Sequence, residues 1–409
     1  MSTYFSTKDK IGAILERYPE TLEVFLINGF EQLKDPAMRQ KMANSVTLEM
    51  ALKMKKINET VFCDKLHDAI MQSREGIDQT LREEGSFAEG DIRIEGVLPC
   101  PIRIPLLENF TEELKDLRKT TGKSIGYDLR SASMGLDRIK EQVVTGDVDK
   151  LPDVMLSAGF DLFFDKKYMG RFKDQNVFHT AMDGFNKDLA NDRIDLRDPK
   201  EQYAIIGIVP AIIMVNEQLL GDRPMPTSWE DILKPEFENT MALPMQDLDL
   251  FNAVILHIYK MYGEEGIRKL GRSFKKSLHP AQMVKAKGLL GDTVDPVISI
   301  SPYFFTQMLP ENGPIKPIWP KEGAIVSPIF LLAKRDTPEV APFLKYFMSK
   351  EVGTIFSGGG KFPSTNPNVD NGLTEDQGFV WVGWDFIHNN DVGAILEKCE
   401  GIFKEIVGV

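Results

Sequence analysis

The chain has 409 residues, 42% of them apolar, which is too long for one small core and calls for two to three domains. Its 61 acidic residues against 49 basic ones leave a net charge of -12, which disfavours nucleic acid or an anionic membrane as the main partner and leaves room for local positive pockets. The three cysteines, Cys63, Cys100 and Cys399, are odd in number and far apart, so neither a disulfide framework nor a thiolate metal knuckle is built from them, and a reducing compartment fits.

No stretch is long and apolar enough to span a membrane, and the first residues lack the pattern of a secretory leader, so the expected location is cytoplasmic. A periplasmic or extracellular site is kept for the case of a removed leader. Residues 1–85 read as a small helical domain, with apolar faces at Ile11, Ile14, Leu15 and Tyr18, then Leu22, Phe25 and Leu26, then Leu48, Ala51 and Leu52, and last Val61, Phe62, Leu66 and Ile70. The run Ile11 to Phe30, followed by Thr47-Leu-Glu-Met-Ala51, resembles the small helical domain of hybrid-cluster-associated and iron-sulfur repair proteins. That family carries cysteines just after the glycine, whereas Phe30 to Pro36 here has none. The resemblance then implies docking of a protein partner or oligomerisation rather than thiol chemistry. Cys63, on an apolar face, reads as a buried structural thiol.

Residues 72–90 are polar and turn-rich, as a linker is. After them the period changes. Ile92–Leu98 alternates as a strand, a Pro/Cys loop follows, and Pro105–Leu117 reads as a helix. Strands at Ser124–Leu129 and Asp153–Ser157 flank a helix over Met134–Val144, so an α/β sheet is predicted. Tyr203–Val215 is a long uncharged β-type run, and Gly323–Ala333 is its expected partner. Between them, Thr227 is a helix cap with Glu230 closing a capping box, Trp229 and Leu233 form the apolar face, Pro235 stops the helix, and Thr240–Leu243 is a buried strand. Ala341–Phe356 reads as a helix.

The residues Pro226, Trp229, Asp231, Leu233, Pro235 and Phe237, with the strand ending at Pro244, resemble the crossover segment of bacterial ABC-type solute-binding proteins. The likeness extends from residue 92 to about residue 370 and is to the group that includes ferric-binding proteins. It implies a two-lobed type 2 periplasmic-binding-protein fold. Residues 92–204 would open lobe one, 205–325 form lobe two, and 326–409 supply the hinge return, the rest of lobe one and a tail. The two apolar runs would be the hinge strands. The implied function is closure of two lobes around a small molecule, an anion or a metal complex.

In an open α/β sheet ligands sit beyond the carboxyl ends of the strands. The candidates there are Cys100 and Arg103, then Arg130, Ser131 and Ser133, then Ser157, then Asp247 and Asn252, and finally Ser299, Ser301 and Tyr303. The hydroxyls suit an oxyanion or carboxylate, and each serine is equally suited to capping a helix. The arginines would add a charged fork. Ferric-binding relatives hold iron through adjacent tyrosines in the loop matching Ser301-Pro-Tyr-Phe304. Here Tyr303 is kept as a metal-ligand candidate and Phe304 replaces the second phenolate, which disfavours plain Fe(III) binding. No cofactor is specified, although a bound metal or metal complex remains open. The five histidines show no ligand spacing. Gly358-Gly-Gly-Lys361 lacks the register of a phosphate loop. The aromatic residues Phe379, Trp381, Trp384 and Phe386 are expected to pack the tail onto lobe one. Two other functions stay open. One is an enzyme of cofactor metabolism with Cys100 as its only candidate nucleophile, and the other is an iron- or metal-delivery factor.

Overall fold

In the computed structural model, the residues described are 5, 7–18, 21–22, 25, 30, 33, 46–55, 62–63, 66, 90–131, 136–245, 248–278, 280–284, 295–310, 312–335, 337–359 and 362–408. The chain divides into two units, Met1–Ser86 and Phe87–Val409.

In the first unit the helices α1 (Ile11–Arg17) and α2 (Leu48–Lys55) are joined by an antiparallel bridge between Lys10 and Thr47. Ile11, Ile14, Leu15 and Tyr18 of the first predicted face are buried, as are Leu48, Ala51 and Leu52 of the third. Phe25, Phe30 and Phe62 meet at ring distances of 5.2 to 5.8 Å, so one aromatic cluster closes this small core. Leu26, Val61 and Ile70 lie outside the described residues. Cys63 is half-buried rather than enclosed, and its thiol is free of disulfide.

Among the described residues, the second unit carries ten strands in one sheet: β1 (Ile92–Leu98), β2 (Ile125–Ser131), β3 (Val154–Ala158), β4 (Ala204–Asn216), β5 (Met241–Leu243), β6 (Phe274–Ser277), β7 (Ile298–Pro302), β8 (Ile315–Ile318), β9 (Ala324–Ala333) and β10 (Phe379–Val380). The order is β2-β1-β3-β9-β4-β7-β5-β6, with β8 beside β4 and β10 beside β9. Two parallel groups, β2-β1-β3 and β7-β5-β6, are thus joined by two antiparallel strands. Those joining strands are the uncharged runs of the sequence. Every residue of β4 and β9 is buried, because both faces of the crossing are covered.

Helices α3 (Cys100–Thr121), α4 (Asp137–Thr145), α5 (Lys166–Asp174), α6 (Leu248–Ser273), α7 (Ala341–Phe347), α8 (Lys350–Thr354), α9 (Trp384–Asn389) and α10 (Val392–Val407) cover the sheet. Three predictions are corrected. The expected Pro/Cys loop is helical from Cys100 onward, since Pro99 ends the strand in an extended conformation and Pro101 suits a first helical turn. The expected helix over Ala341–Phe356 breaks after Phe347, where Ser349 caps a new turn by accepting from the Val352 amide. The capping box is shifted by one residue. Ser228 Oγ accepts from the Asp231 amide at 3.0 Å, and the Asp231 carboxylate accepts from the Thr227 amide at 2.9 Å, so Glu230 plays no part in it. Trp229 is nevertheless the buried anchor expected, with its indole N–H on the Gly323 carbonyl at 2.9 Å.

Candidate functional site

The strands of each parallel group point their carboxyl ends toward the helix starts that follow them, so the site is built from those ends. At the end of β1, helix α3 begins at Cys100, whose side chain lies outside the described residues. The amides of Ile102 and Arg103 both donate to the Pro99 carbonyl at 3.2 Å, and Pro101 has no N–H. This helix start therefore offers an anion much less than an uncommitted one would.

Arg103 is buried, and its Nε donates to the Leu129 carbonyl at 2.9 Å. Burial pushes its pKa down to about 10, with Asp128 acting in the other direction. Arg130, the other expected fork, gives both Nε and Nη2 to Asp128 at 3.0 and 2.7 Å. That pairing, partly offset by burial, raises its pKa, so the guanidinium stays charged and committed to the protein. Asp128 lies directly across from Glu95 in the β1–β2 register, and Arg138 of α4 reaches both carboxylates, at 3.2 Å and 3.3 Å. Gln142 Nε2 adds a bond to Glu95 at 3.1 Å. The arginines of this corner thus neutralise buried carboxylates instead of presenting a free fork. Ser133 and the side chain of Ser131 lie outside the described residues.

At the end of β3, Ser157 is fully buried and donates to Asp161 at 2.5 Å, while the Phe163 amide donates to the other Asp161 oxygen at 3.0 Å. Ser157 is therefore committed to a carboxyl that sequence reasoning did not single out. Burial pushes the Asp161 pKa from 3.8 up to about 7, against the pull of those two donors. Below about pH 4 the carboxyl is protonated in both folded and unfolded chains. As pH rises from 4 to 7 the unfolded carboxyl ionises while the folded one stays protonated, so stability falls, and above 7 the loss levels off. The full shift would correspond to about 4 kcal/mol, and the residue's partial solvent contact reduces the expected loss to about 2 kcal/mol. The variant Asp161→Asn keeps the Phe163 amide on its Oδ1 and reverses the other bond, its Nδ2 donating to Ser157 Oγ, with no charge to ionise. Its stability relative to the parent should rise by that amount between pH 4.5 and pH 8 in urea titrations. Parallel pH curves for the two proteins would refute the assignment.

In the second half, Asp247 lies outside the described residues. Asn252, in the second turn of α6, donates Nδ2 to the Phe160 carbonyl at 3.0 Å, and its Oδ1 is buried with no partner. Ser299 and Ser301 are buried in β7, across from Met214 and Ile212 of β4, and Ser301 Oγ is likewise unpartnered. Of the candidate residues described, Asn252 and Ser301 alone keep an unfilled buried polar atom. Such an atom costs about 1–3 kcal/mol unless something supplies its bond. Tyr303 is half-buried, with its ring edge-on to Trp319 at 5.1 Å, and Phe304 stacks on Phe362 at 6.0 Å. The phenyl ring at position 304 thus serves packing.

Gly159 was not singled out from the sequence either. It has φ of 80°, and a Cβ there would stand 2.6 Å from Asp249 Cα, so the loop after β3 lies directly on the start of α6. The Asp249 carbonyl accepts from Ser327 Oγ of β9 at 3.3 Å. The strand end at Ser157 pointed to this place, and it does not reveal the loop's partner. Among the described residues no group of three or more His, Cys, Asp or Glu side chains is placed to hold a metal ion. No helix among them is long and apolar enough to cross a membrane.

Residues 149–390, well over half of the chain, match the model of the bacterial extracellular solute-binding protein family. Residues 6–62 match a domain of unknown function, DUF1858. No curated protein sequence matches the chain. The fold is shared with the ferric-binding protein of Campylobacter jejuni, at 12% identity over 77% of this chain and 99% of that one, TM-score 0.54. It is shared with ferric iron-binding protein A of Mannheimia haemolytica in an open conformation, at 14% identity over 76% and 98%, TM-score 0.51. An ABC transporter structure from Clostridium perfringens matches at 14% identity over 78% and 100%, TM-score 0.52. The architecture is the type 2 periplasmic-binding-protein fold.

Proposed function

The chain belongs to the bacterial extracellular solute-binding protein family, and from that premise we propose that it holds a small solute between the carboxyl ends of β1, β2 and β3 and those of β5 and β7. The observation that carries this reading is the pair of buried, unfilled polar atoms, Asn252 Oδ1 and Ser301 Oγ, on the β5–β7 side of the site. β4 and β9 would serve as the hinge, with residues 92–204 in one lobe and 205–325 in the other.

Two structural neighbours are named for ferric ion. For this chain we propose a solute other than iron held by a tyrosine pair, because Phe304 donates nothing and is packed on Phe362. The odd number and wide spacing of the three cysteines favour a reducing compartment, in keeping with a cytoplasmic site. The helical unit at residues 1–85 would recruit a protein partner.

Native mass spectrometry of gently purified protein, compared with its denatured mass and with metal analysis of the same sample, tests the reading. The expected result is a retained non-iron small molecule whose retention is lost in Asn252→Leu. Stoichiometric iron would overturn the choice of solute. A clean apo mass together with no thermal shift across a solute panel would overturn solute binding.

A further inference from the structure

The binding reading needs two halves that move, and the C-terminal segment bears on that need. One buried apolar core crosses from the β2-β1-β3 side to the β7-β5-β6 side, including Phe160 and Phe163 from the first, Leu250 and Val254 from the second, and Trp384 and Phe403 from the C-terminal segment. No division into separate compact units falls between the two halves, since Phe87–Val409 is one unit.

The C-terminal segment touches both sides. It enters through β10, which pairs in parallel with β9. On the second side α10 runs along α6. There Phe403 meets Phe251 and Phe274 at 5.6 and 5.5 Å, and Lys398 pairs with Glu264 at 2.6 Å. On the first side Trp381 stacks on Phe160 at 5.5 Å, and Trp384 lies tilted against Tyr203 at 5.6 Å. His388 Nε2 meets the buried carboxylate of Asp198 at 2.7 Å. Asp198 also accepts from the amides of Lys200, Gln202 and Tyr203, so it is fixed in place. Gly393 in the first turn of α10 approaches Asp165 so closely that a Cβ would stand 2.4 Å from its carboxyl carbon.

We propose that residues 378–407 are a strap that keeps the two halves closed on each other in the absence of any solute. Separation of the halves would expose Phe160 and Trp381, break the Asn252 bond to the Phe160 carbonyl and part His388 from Asp198. A solute would then enter through openings of the strap. The energy of closure would come from the chain's own contacts, where a binding protein without a strap draws it from the ligand. The proposal goes beyond the binding reading and holds whether or not the solute assigned above is found.

The test uses the full chain without added solute, carrying nitroxides attached through ketone-bearing amino acids at the exposed positions 119 and 234, one in each half. Double electron–electron resonance should give one narrow distance for the parent. His388→Ala removes the clasp, and Gly393→Leu drives a side chain against Asp165 without opening a hole in the core. Both should shift the distribution to longer distances and broaden it, with unchanged far-ultraviolet circular dichroism. A parent with a broad or two-peaked distribution would overturn the strap. So would an unchanged narrow distance in both variants, each with unchanged circular dichroism.

Discussion

Gly96→Ala is expected to lower the unfolding free energy by about 3 kcal/mol. Gly96 sits in the middle of β1, paired with Leu129 of β2 on one side and Leu156 of β3 on the other. A Cβ there would stand 2.1 Å from the Leu156 carbonyl oxygen and 2.8 Å from its carbon and nitrogen. These are backbone atoms held by the sheet, so no rotamer change relieves the clash and β1 must separate from β3. The same two strands deliver Pro99 and Gly159 to the candidate site, so solute retention should fall along with stability. Gly401→Ala is the matched control, since nothing lies within 4 Å of a Cβ at that position in α10. It should raise stability by about 0.5–1 kcal/mol through helix propensity alone. Urea unfolding at constant m-value reads both. A loss under about 0.5 kcal/mol for Gly96→Ala would show that the strands part at little cost.

Arg138→Met should cost a similar amount, about 3 kcal/mol, by a different route. Glu95 is almost fully enclosed, with a side-chain exposure of 2%, and Asp128 across from it has 13%. Arg138 is the cation that reaches both. Asp128 keeps Arg130 when Arg138 is lost, but Glu95 is left with Gln142. A methionine fills the space of the stem and supplies no charge, so the penalty is that of an uncompensated buried carboxylate rather than of lost packing. Removing that charge as well should restore most of the loss, so Arg138→Met with Glu95→Gln is expected to recover more than half of it. A double variant as unstable as the single one would mean that the stem of Arg138, and not its charge, holds α4 to the sheet.

Much of the frame was legible in the residues. The alternation in Ile92–Leu98 identified β1 at both ends, and the uncharged runs at Tyr203–Val215 and Gly323–Ala333 identified the two crossing strands and their pairing. Such runs are readable because burial on both faces removes charge from every position, a signal confined to consecutive residues. Helix starts were harder to read. Pro99-Cys-Pro looked like a loop, yet the fixed φ of proline suits a first helical turn as well as it suits an extended loop, and the packing of α3 decided between them. The capping residues near Trp229 were misplaced by one for a related reason. Thr227, Ser228, Glu230 and Asp231 all have the right chemistry, and only the observed turn shows which oxygen faces which amide.

The candidate site was legible as a set of strand ends and not as a set of contacts. Arg130 and Arg103 carry the groups an anion would want, but Asp128 lies two residues from one, and the Leu129 carbonyl takes the other. Ser157 met Asp161 four residues on, in the same turn. The tail was expected on lobe one alone, and it bridges both halves, because α10 presents one apolar face to α6 while Trp381 and Trp384 face Phe160 and Tyr203.

The sequence by itself determined the strands at Ile92–Leu98, Tyr203–Val215 and Gly323–Ala333, the α/β class, the loss of the second tyrosine at Phe304 and the histidine spacing, since each of these is a property of neighbouring residues or of residue type. Only the tertiary structure decided which arginines, serines and carboxylates are already taken, that Gly159 meets Asp249, and that residues 378–407 tie the two halves together. The physical reason is that a polar group's remaining capacity to bind depends on what lies within about 3 Å of it in space. In this protein those partners come from segments as far apart as Asp198 and His388.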